Sequence, residues 1–489
     1  MNAEQRDQVR SNAKYLREVR PIDPEEIYEY VDGRPHPAAV RQVLREEAAD
    51  LGLLEREDGT FEPVGDGPVS APFHGVESFP DEYAERLEDE LVERYGVDWA
   101  EGESGDRLRE RLRSVKTDYL YQNPVEYDAD TAAAYAVYHL PGYYAATQYV
   151  LADLAADGHL PSALRVLDVG AGVGGPALGL HDLLPEDTLV DYHAVEPSAG
   201  ADLLETMLSG TRRNFHTTVH RTTAEAFDPE TAIGLDNSFD LVLFANVWSE
   251  LDDPAGVTAD LSGALADDGT VVGIAPADRN TATNLRSVER ELADGGPFTV
   301  YAPTVRLWPS IGPTDGGWSF DARPDLETPP FQRRLADGFD ASGSSEGGPS
   351  GDDADPLRPE EFVNVDVQYA YTLLRTDGKR RIDLTLSTER SARMADMGDH
   401  VTSRIDLVAI KLSHDLSGGG NPLFRIGDGS QSVDHFAVLT GESALNRDLA
   451  NADYGDLLSF ENVLVLWNDD EAAYNLVVDE ETVVDSMPV

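Results

Sequence analysis

Apolar residues follow two different periods along this chain, and the change of period separates its regions. Between residues 164 and 278, short apolar runs such as LRVLDVG and FDLVLFAN alternate with segments whose apolar positions have helical spacing. Regular alternation of buried strands and helices predicts a doubly wound α/β domain built on a parallel sheet. We place the boundaries of this domain at residues 161–395.

The region before this domain carries a different pattern. Residues 1–70 predict helices followed by a hairpin around Asp58-Gly59, with Gly52 ending the second helix. Helix, helix and hairpin is the order of a winged helix, although a generic packing module fits the pattern equally well. Residues 71–160 predict a helical region, in which Pro141 should break or kink the last helix.

The region after the domain predicts an all-β unit. Residues 400–489 contain five strand-like runs, with the short helical segment SALNRDLANA between the third and the fourth. This is the strand and helix order of the oligonucleotide/oligosaccharide-binding (OB) barrel, so we expect an OB-like β-barrel.

Within the α/β domain, residues 336–358 are rich in Gly, Ser and Asp and predict a disordered loop. The following runs, VNVDVQYAYTLLR and RRIDLTLS, are expected to pair as a hairpin about Asp377-Gly378.

The charge and the absence of cysteine narrow the possible functions. The 489 residues include 92 Asp and Glu against 38 Lys and Arg, a formal net charge of −54, and no Cys. Disulfides, thiolate metal sites and a cysteine nucleophile are therefore excluded, and no metal site is predicted. Such an acidic, lysine-poor composition is typical of a halophile, where molar salt screens charges over about 3 Å. No apolar run reaches the ~18 residues that span a membrane, and the first thirty residues carry no apolar targeting core, so we expect a soluble cytoplasmic protein without a membrane partner.

The strongest motif for chemistry is LRVLDVGAGVGG, in which a strand leads into a glycine-rich turn. Asp168 precedes Gly170, Gly172 and Gly174, which have the spacing G-x-G-x-G. The glycines allow a tight turn and a close ligand approach, and the next helix directs its N–H groups into the same crevice. The spacing differs from the dinucleotide pattern G-x-G-x-x-G, and Asp168 would repel a pyrophosphate there. A sulfonium cation with an amino-acid tail would be accepted.

Residues at the ends of the following strands complete the predicted pocket. Glu196 ends the second strand, where a carboxylate can accept hydrogen bonds from two ribose hydroxyls. Thr223 and Ala224 follow the third strand, where an adenine edge would lie, and Asn246 follows the fourth. The constellation resembles that of the class I S-adenosylmethionine-dependent methyltransferases, which implies S-adenosylmethionine as cofactor and a Rossmann-like core. The alternative is a scaffold that keeps its glycines only for packing.

Segments around the motif resemble a narrower family. PGYYAATQYVLADL, YAPTVRLWPS, GGWSF and PPFQRRL are similar to segments of the Rsm-type small-ribosomal-subunit methyltransferase-like family, over about residues 120–390. This resemblance implies a role on small-subunit rRNA or in subunit assembly. Many members hold an iron–sulfur cluster on cysteines, and this chain, without Cys, excludes that cluster. A non-catalytic RNA-binding assembly factor and a small-molecule methyltransferase remain as alternatives.

The sequence assigns no catalytic residue. The absence of Cys argues against methylation of a pyrimidine carbon, and the turn after the fourth strand lacks the prolines usual for methylation of an exocyclic amine. Methyl transfer by proximity and orientation remains, with Asn246 and Glu250 as candidates for polarising the substrate. The candidate RNA-binding residues are the basic Arg375, Lys379, Arg380 and Arg381, and the aromatic Phe424, Phe436, Phe460 and Trp467, which could stack on bases.

Overall fold

The computed structural model of the chain describes residues 1–121, 123–235, 237–341 and 358–488. It contains two compact units, each formed from two stretches of chain. The first comprises Met1–Val242 and Leu326–Val365, and the second comprises Leu243–Asp325 and Asp366–Val489.

Helices and strands are numbered in chain order. The helices are α1 (Ala3–Leu16), α2 (Pro24–Ile27), α3 (Pro37–Glu46), α4 (Ala48–Leu51), α5 (Asp81–Tyr95), α6 (Gly102–Tyr121), α7 (Ala129–Ala156), α8 (Gly175–Leu183), α9 (Gly200–Leu208), α10 (Pro229–Ile233), α11 (Pro254–Leu261), α12 (Arg279–Gly295), α13 (Pro330–Ala341) and α14 (Asp448–Asn451). The strands are β1 (Leu53–Glu55), β2 (Phe61–Pro63), β3 (Ala163–Val169), β4 (Leu189–Val195), β5 (Phe215–His220), β6 (Phe239–Ala245), β7 (Leu265–Pro276), β8 (Thr299–Ala302), β9 (Asp321–Arg323), β10 (Val367–Arg375), β11 (Arg404–Lys411), β12 (Leu423–Gly427), β13 (His435–Leu439), β14 (Leu457–Asn468), β15 (Ala473–Val478) and β16 (Val483–Ser486).

The first unit begins with a small helical module. Helices α1 to α4 precede the antiparallel hairpin β1–β2, and Gly52 ends α4 with a left-handed φ of 61°. The predicted order of helices and hairpin is present, whereas the winged-helix assignment remains a prediction. Helix α1 was not predicted, because it buries only Val9 and Ala13 and its sequence is otherwise polar.

Helix α7 is the long buried helix of the first unit. It is 28 residues long and continues past Pro141 to Ala156, so the predicted break there does not occur. Most of its residues are buried, and this packing offsets the backbone hydrogen bond that proline removes. Helix α8 packs closely on it, since a Cβ added at Gly175 would lie 2.8 Å from the Cβ of Tyr143.

Helix α13, from the second stretch of the first unit, packs on the helices that precede the sheet. The amide Nε2 of Gln332 donates to the carbonyl oxygen of Val137 at 2.9 Å, and Nη1 of Arg109 donates to that of Leu335 at 2.8 Å. The predicted disordered loop is therefore helical over 336–341, and residues 342–357 lie outside the described residues.

The sheet of the first unit has the order β5-β4-β3-β6, and strand β6 continues from the first unit into the second. Strands β3, β4 and β5 run parallel, with Asp168 opposite Ala194 and Val195 opposite His220. The prediction of a parallel α/β sheet is confirmed for these strands. Parallel alignment brings the carboxyl ends of β3, β4 and β5 to one edge, where the predicted cofactor residues lie.

In the second unit the sheet has the order β6-β7-β10-β8, and β9 also pairs with β10. The predicted hairpin about Asp377-Gly378 is wrong, because β10 pairs antiparallel with β7 on one side and with β8 and β9 on the other. Because both edges of β10 are occupied, the segment after it cannot pair with β10. It bonds elsewhere, since the amide of Leu386 donates to the carbonyl oxygen of Leu307 at 2.9 Å.

The C-terminal strands form a closed barrel. Strands β11-β12-β13-β15-β14 are neighbours in this order, and β14 pairs again with β11 to close the ring. Strands β13 and β15 are parallel, and α14 lies between β13 and β14 in the sequence. The predicted five-strand barrel order is confirmed, and β16 adds a further strand on β14. No helix among the described residues is long and apolar enough to cross a membrane.

Candidate cofactor site

The glycine-rich turn follows β3 directly and needs glycine for its backbone. Gly170, Gly172 and Gly174 have φ values of 71°, 56° and 96°, in a region that other residues rarely adopt. The amides of Gly170 and Ala171 both donate to the carbonyl oxygen of Val195, at 2.9 and 3.1 Å, which holds the turn against the end of β4. A Cβ at Gly172 would meet its nearest atom only at 4.0 Å, so the space beside this residue is open to a ligand.

Glu196 lies against this turn, as the sequence predicts. Its Oε2 accepts a hydrogen bond from the amide of Gly172 at 2.7 Å, and its Oε1 accepts one from the amide of Ser198 at 2.9 Å. An ionised carboxylate offers about four lone-pair positions, so these contacts leave about two for further donors. The structure therefore brings Gly172 and Glu196 together and leaves the carboxylate able to accept ribose hydroxyls.

Asp168 is fully buried at the end of β3. The hydroxyl of Tyr192 donates to its Oδ2 at 2.6 Å, whereas its Oδ1 has no hydrogen-bond partner among the described residues. Burial raises the pKa of Asp168 to about 7, the Tyr192 hydrogen bond opposes this shift, and the charge of Glu196 adds to it. Buried carboxylate oxygens without a partner are rare, which marks Oδ1 as a position for an external donor.

Tyr192 is a site residue that the sequence analysis missed. It stands on β4 two and four residues before Ala194 and Glu196, and side chains alternate along a strand, so the three share a face. That alternation was visible in DYHAVEP, but the partner of Tyr192 could be found only once β3 and β4 were paired.

Thr223 and Ala224 follow β5 in the first unit. Thr223 is exposed and precedes the short 3-10 helix Ala224–Ala226, and Ala224 is half-buried. The amide of Glu196 donates to the carbonyl oxygen of His220 at 3.0 Å, which fixes the end of β5 beside the end of β4. The contacts of Thr223 and Ala224 with other described residues assign neither of them to an adenine.

The candidate catalytic residues belong to the second unit. Asn246 is half-buried with a left-handed φ of 62°, and its amide donates to the carbonyl oxygen of Ile274 at 2.8 Å. Asparagine tolerates this conformation better than most residues. Glu250 is exposed and ends the 3-10 helix Trp248–Glu250. These contacts give neither residue a chemical role in methyl transfer.

The candidate RNA-binding residues divide into buried and exposed groups. Arg375 is 0% exposed, and it donates to Oδ2 of Asp377 at 2.6 Å and to Oγ1 of Thr270 at 2.9 Å. The prediction that Arg375 belongs to a basic surface patch is therefore wrong, because its charge is paired inside the unit. Lys379 and Arg380 are exposed, and Arg381 is half-buried.

The barrel aromatics divide in the same way. Phe424 and Phe460 are 4% and 1% exposed and belong to the barrel core, which rules them out as stacking surfaces in this conformation. Phe436 is half-buried, and Trp467 is 38% exposed. Alternation along the strands, rather than aromatic content, decides which of these rings reach the surface.

Comparison with known families identifies three segments of the chain. Residues 167–271 match the family model described as a methyltransferase domain. Residues 6–57 and 395–487 match the N-terminal and C-terminal domains of a domain of unknown function, DUF8157. A search of the curated proteins found no match to this chain.

Solved structures similar to this chain include several methyltransferases. The plantazolicin methyltransferase BpumL in complex with SAH is 11% identical, with 60% of this chain and 99% of that chain covered and a TM-score of 0.29. The mitomycin 7-O-methyltransferase MmcR is 14% identical, with 61% and 88% covered and a TM-score of 0.26. The glycopeptide N-methyltransferase MtfA with S-adenosylmethionine is 21% identical, with 27% and 54% covered and a TM-score of 0.21.

The parallel strands, the glycine turn and the family match define one class. Residues 167–271 form a methyltransferase domain with a Rossmann-like core. The cofactor of this class is S-adenosylmethionine, and Gly172, Glu196 and Asp168 fit its requirements for an open backbone, a ribose acceptor and a partner for a cationic group.

Proposed function

We propose that this protein transfers the methyl group of S-adenosylmethionine to RNA of the small ribosomal subunit, or acts on that RNA during subunit assembly. The observation that carries the methyl-transfer part is the buried Asp168, whose Oδ1 has no partner among the described residues, beside a carboxylate that faces the glycine turn. A packing scaffold gains nothing from an unpaired buried carboxylate, because desolvation without a partner costs free energy.

The residues of the first unit have separate tasks in this proposal. Glu196 accepts the ribose hydroxyls, Gly172 leaves room for the cofactor beside its backbone, and Asp168 pairs with the ammonium of the amino-acid tail. Bound S-adenosylmethionine supplies an activated methyl group on a sulfonium. The protein holds acceptor and donor in line, so that orientation rather than a protein nucleophile lowers the barrier.

The RNA part of the proposal rests on a different set of observations. The resemblance to the Rsm-type family suggests it, and Lys379 and Arg380 offer exposed positive charge for phosphates. The net charge of −54 opposes RNA binding at low salt, and molar salt screens that repulsion. A small-molecule substrate remains the second candidate, since no described residue of the site selects for a nucleotide.

Titration calorimetry with S-adenosylmethionine in molar KCl tests cofactor binding. We expect saturable binding by the wild type and none by Gly172→Arg, whose side chain fills the open space beside the turn. Glu196→Gln should weaken affinity about ten- to hundredfold, as expected for loss of charged hydrogen bonds. Gly418→Arg is the matched control, because Gly418 has a φ of 58°, close to that of Gly172, and nothing lies within 4 Å of a Cβ there. Absence of binding by folded wild type would instead favour the scaffold.

A second experiment distinguishes the substrates. Methyl-labelled S-adenosylmethionine and the protein are incubated together in two parallel reactions. One contains small ribosomal subunits, and the other contains the small-molecule fraction of a lysate, both from cells that lack the protein. Label in the RNA supports the proposal, and label confined to small molecules overturns its RNA part. Cofactor binding with no label in either fraction, but with crosslinks to RNA, supports a non-catalytic assembly factor.

A further inference from the structure

A small cavity in the second unit lies apart from the residues assigned to the cofactor. Its volume is about 130 Å³, and its lining includes Thr299, Tyr301 and Thr304 on and after β8, together with Arg306 and Arg380. About 10–15 Å³ of such volume holds one water, so this space admits a polyatomic ion.

The charge of the cavity lining is opposite to that of the protein. The chain has 92 acidic and 38 basic side chains, yet the charged residues lining this cavity are Arg306 and Arg380, without a carboxylate among them. The lining also includes Thr299, Tyr301 and Thr304, of which Thr304 already donates its hydroxyl to Glu289. Guanidinium groups are the donors that proteins most often use for oxyanions, and this lining contains two of them.

Arg306 has donors that the protein does not satisfy. Its Nε donates to Oδ1 of Asp294 at 3.1 Å, and its Nη1 lies 4.0 Å from Oε1 of Glu289. Both Nη1 and Nη2 are buried and make no hydrogen bond with any described residue. Burying charged donors without a hydrogen bond costs free energy, and an occupant with acceptor oxygens recovers it once the guanidinium turns these donors toward the cavity.

The two nearby carboxylates do not cancel this positive charge. Glu289 is already paired, since Nη1 of Arg286 donates to its Oε2 at 2.5 Å and Oγ1 of Thr304 donates to its Oε1 at 2.7 Å. Asp294 is 46% exposed, so solvent screens its charge.

Arg380 connects the cavity with the surface. Its side chain is exposed, and its Nη1 donates to the backbone carbonyl oxygen of Arg306 at 3.2 Å. Lys379 lies beside it in the same exposed turn. An anion can therefore meet Arg380 at the surface and Arg306 further inside.

We propose that this cavity binds a phosphate group through Arg306 and Arg380. The group belongs either to a free phosphate compound or to the backbone of a nucleic acid, and both present the same tetrahedral oxyanion. The inference does not depend on methyl transfer, because it involves none of the residues assigned to S-adenosylmethionine.

Titration with inorganic phosphate, followed by calorimetry and by ³¹P line broadening in phosphate-free molar KCl, tests the site. We expect saturable binding by the wild type, and affinity about ten- to hundredfold lower in Arg306→Gln and in Arg380→Gln. Arg447→Gln removes an exposed arginine of the same unit elsewhere and should bind like the wild type. Absence of saturable binding, or equal affinity in all variants, overturns the proposal.

Two further measurements keep the result interpretable. Arg380 is exposed, so Arg380→Gln should keep the fold even if Arg306→Gln does not, and all variants should bind S-adenosylmethionine like the wild type. A short single-stranded RNA is then added to the phosphate complex. Displacement of phosphate by RNA, lost in Arg380→Gln, identifies a nucleic-acid backbone as the source. Phosphate binding that RNA does not displace identifies a free phosphate compound.

Discussion

Asp168 in the first unit and Glu289 in the second are both fully buried carboxylates, but their hydrogen bonds and the direction of their pKa shifts differ. Glu289 receives hydrogen bonds from Arg286 and Thr304, and the arginine charge holds its pKa below the ordinary value against the effect of burial. Asp168 receives one hydrogen bond, from Tyr192, and burial raises its pKa to about 7.

In the function proposed above, the difference separates a carboxylate that stabilises the fold from one that binds a ligand. Removing one partner of a buried, hydrogen-bonded ion pair leaves the other charge uncompensated and lowers the free energy of unfolding. A buried carboxylate with a free oxygen and a raised pKa is typical of functional sites, because the free energy spent on desolvation is recovered when a ligand binds.

The largest expected effect comes from breaking the complete pair. Arg286→Met leaves Glu289 buried without its hydrogen-bonded arginine and removes the donation from Arg286 to the carbonyl oxygen of Tyr371. We expect the free energy of unfolding to fall by about 3–5 kcal/mol, measured by urea unfolding in molar salt. Arg404→Met, which breaks the partly exposed pair with Asp479, is the control and should cost about 0–1 kcal/mol. If both variants lose the same free energy of unfolding, the buried pair contributes no more to stability than the exposed pair.

The next effect concerns pH. The pKa of Asp168 rises from 3.8 to about 7 on folding, so the folded chain binds more protons than the unfolded chain between these values. Stability from this group is therefore fully present below about pH 4 and is lost as the pH rises to about 7. Asp168→Asn should remove this decline. Unfolding free energies at pH 5 and pH 8 test it, and the same decline in wild type and variant would contradict the assignment.

The same titration should appear in cofactor binding. Ionised Asp168 attracts a cationic group, so the affinity of the wild type for S-adenosylmethionine should rise as the pH passes through about 7. Calorimetry across this range gives the midpoint, and Asp168→Asn should show a weaker affinity without that rise.

The smallest expected effect tests whether the pH midpoint of cofactor affinity belongs to Asp168. Tyr192→Phe removes the hydrogen bond that lowers the pKa of Asp168, so the midpoint for cofactor affinity should move to higher pH. Tyr144→Phe removes another buried tyrosine hydroxyl, which donates to Asp182, and should leave the midpoint unchanged. A shift in both variants would trace the effect to general loosening of the first unit.

Local features of the molecule were predictable from sequence. The glycine turn and Glu196 follow from glycine's access to positive φ and from the position of a residue at the end of a strand. The barrel order follows from five runs with a helix in one interval, since few topologies satisfy that order.

The predictions that were wrong concern residues whose contacts are distant in sequence. Pro141 stays within a helix because surrounding side chains bury it, and Arg375 is buried against Thr270, which lies 105 residues earlier in the chain. The hairpin after β10 was wrong because β7, β8 and β9 already occupy both edges of that strand. Short-range patterns contain none of these neighbours, so they favoured the local pairing.

The return of Leu326–Val365 to the first unit has a consequence for how the chain matures during translation. When residue 242 leaves the ribosome, the backbone carbonyl of Val137 still lacks Gln332, and Arg109 still lacks the carbonyl of Leu335. The first unit can be finished only after 83 intervening residues, Leu243–Asp325, have been synthesised. A nascent chain that has reached residue 242 therefore lacks α13, and the helix surfaces that α13 covers stay exposed until residues 330–341 have been synthesised.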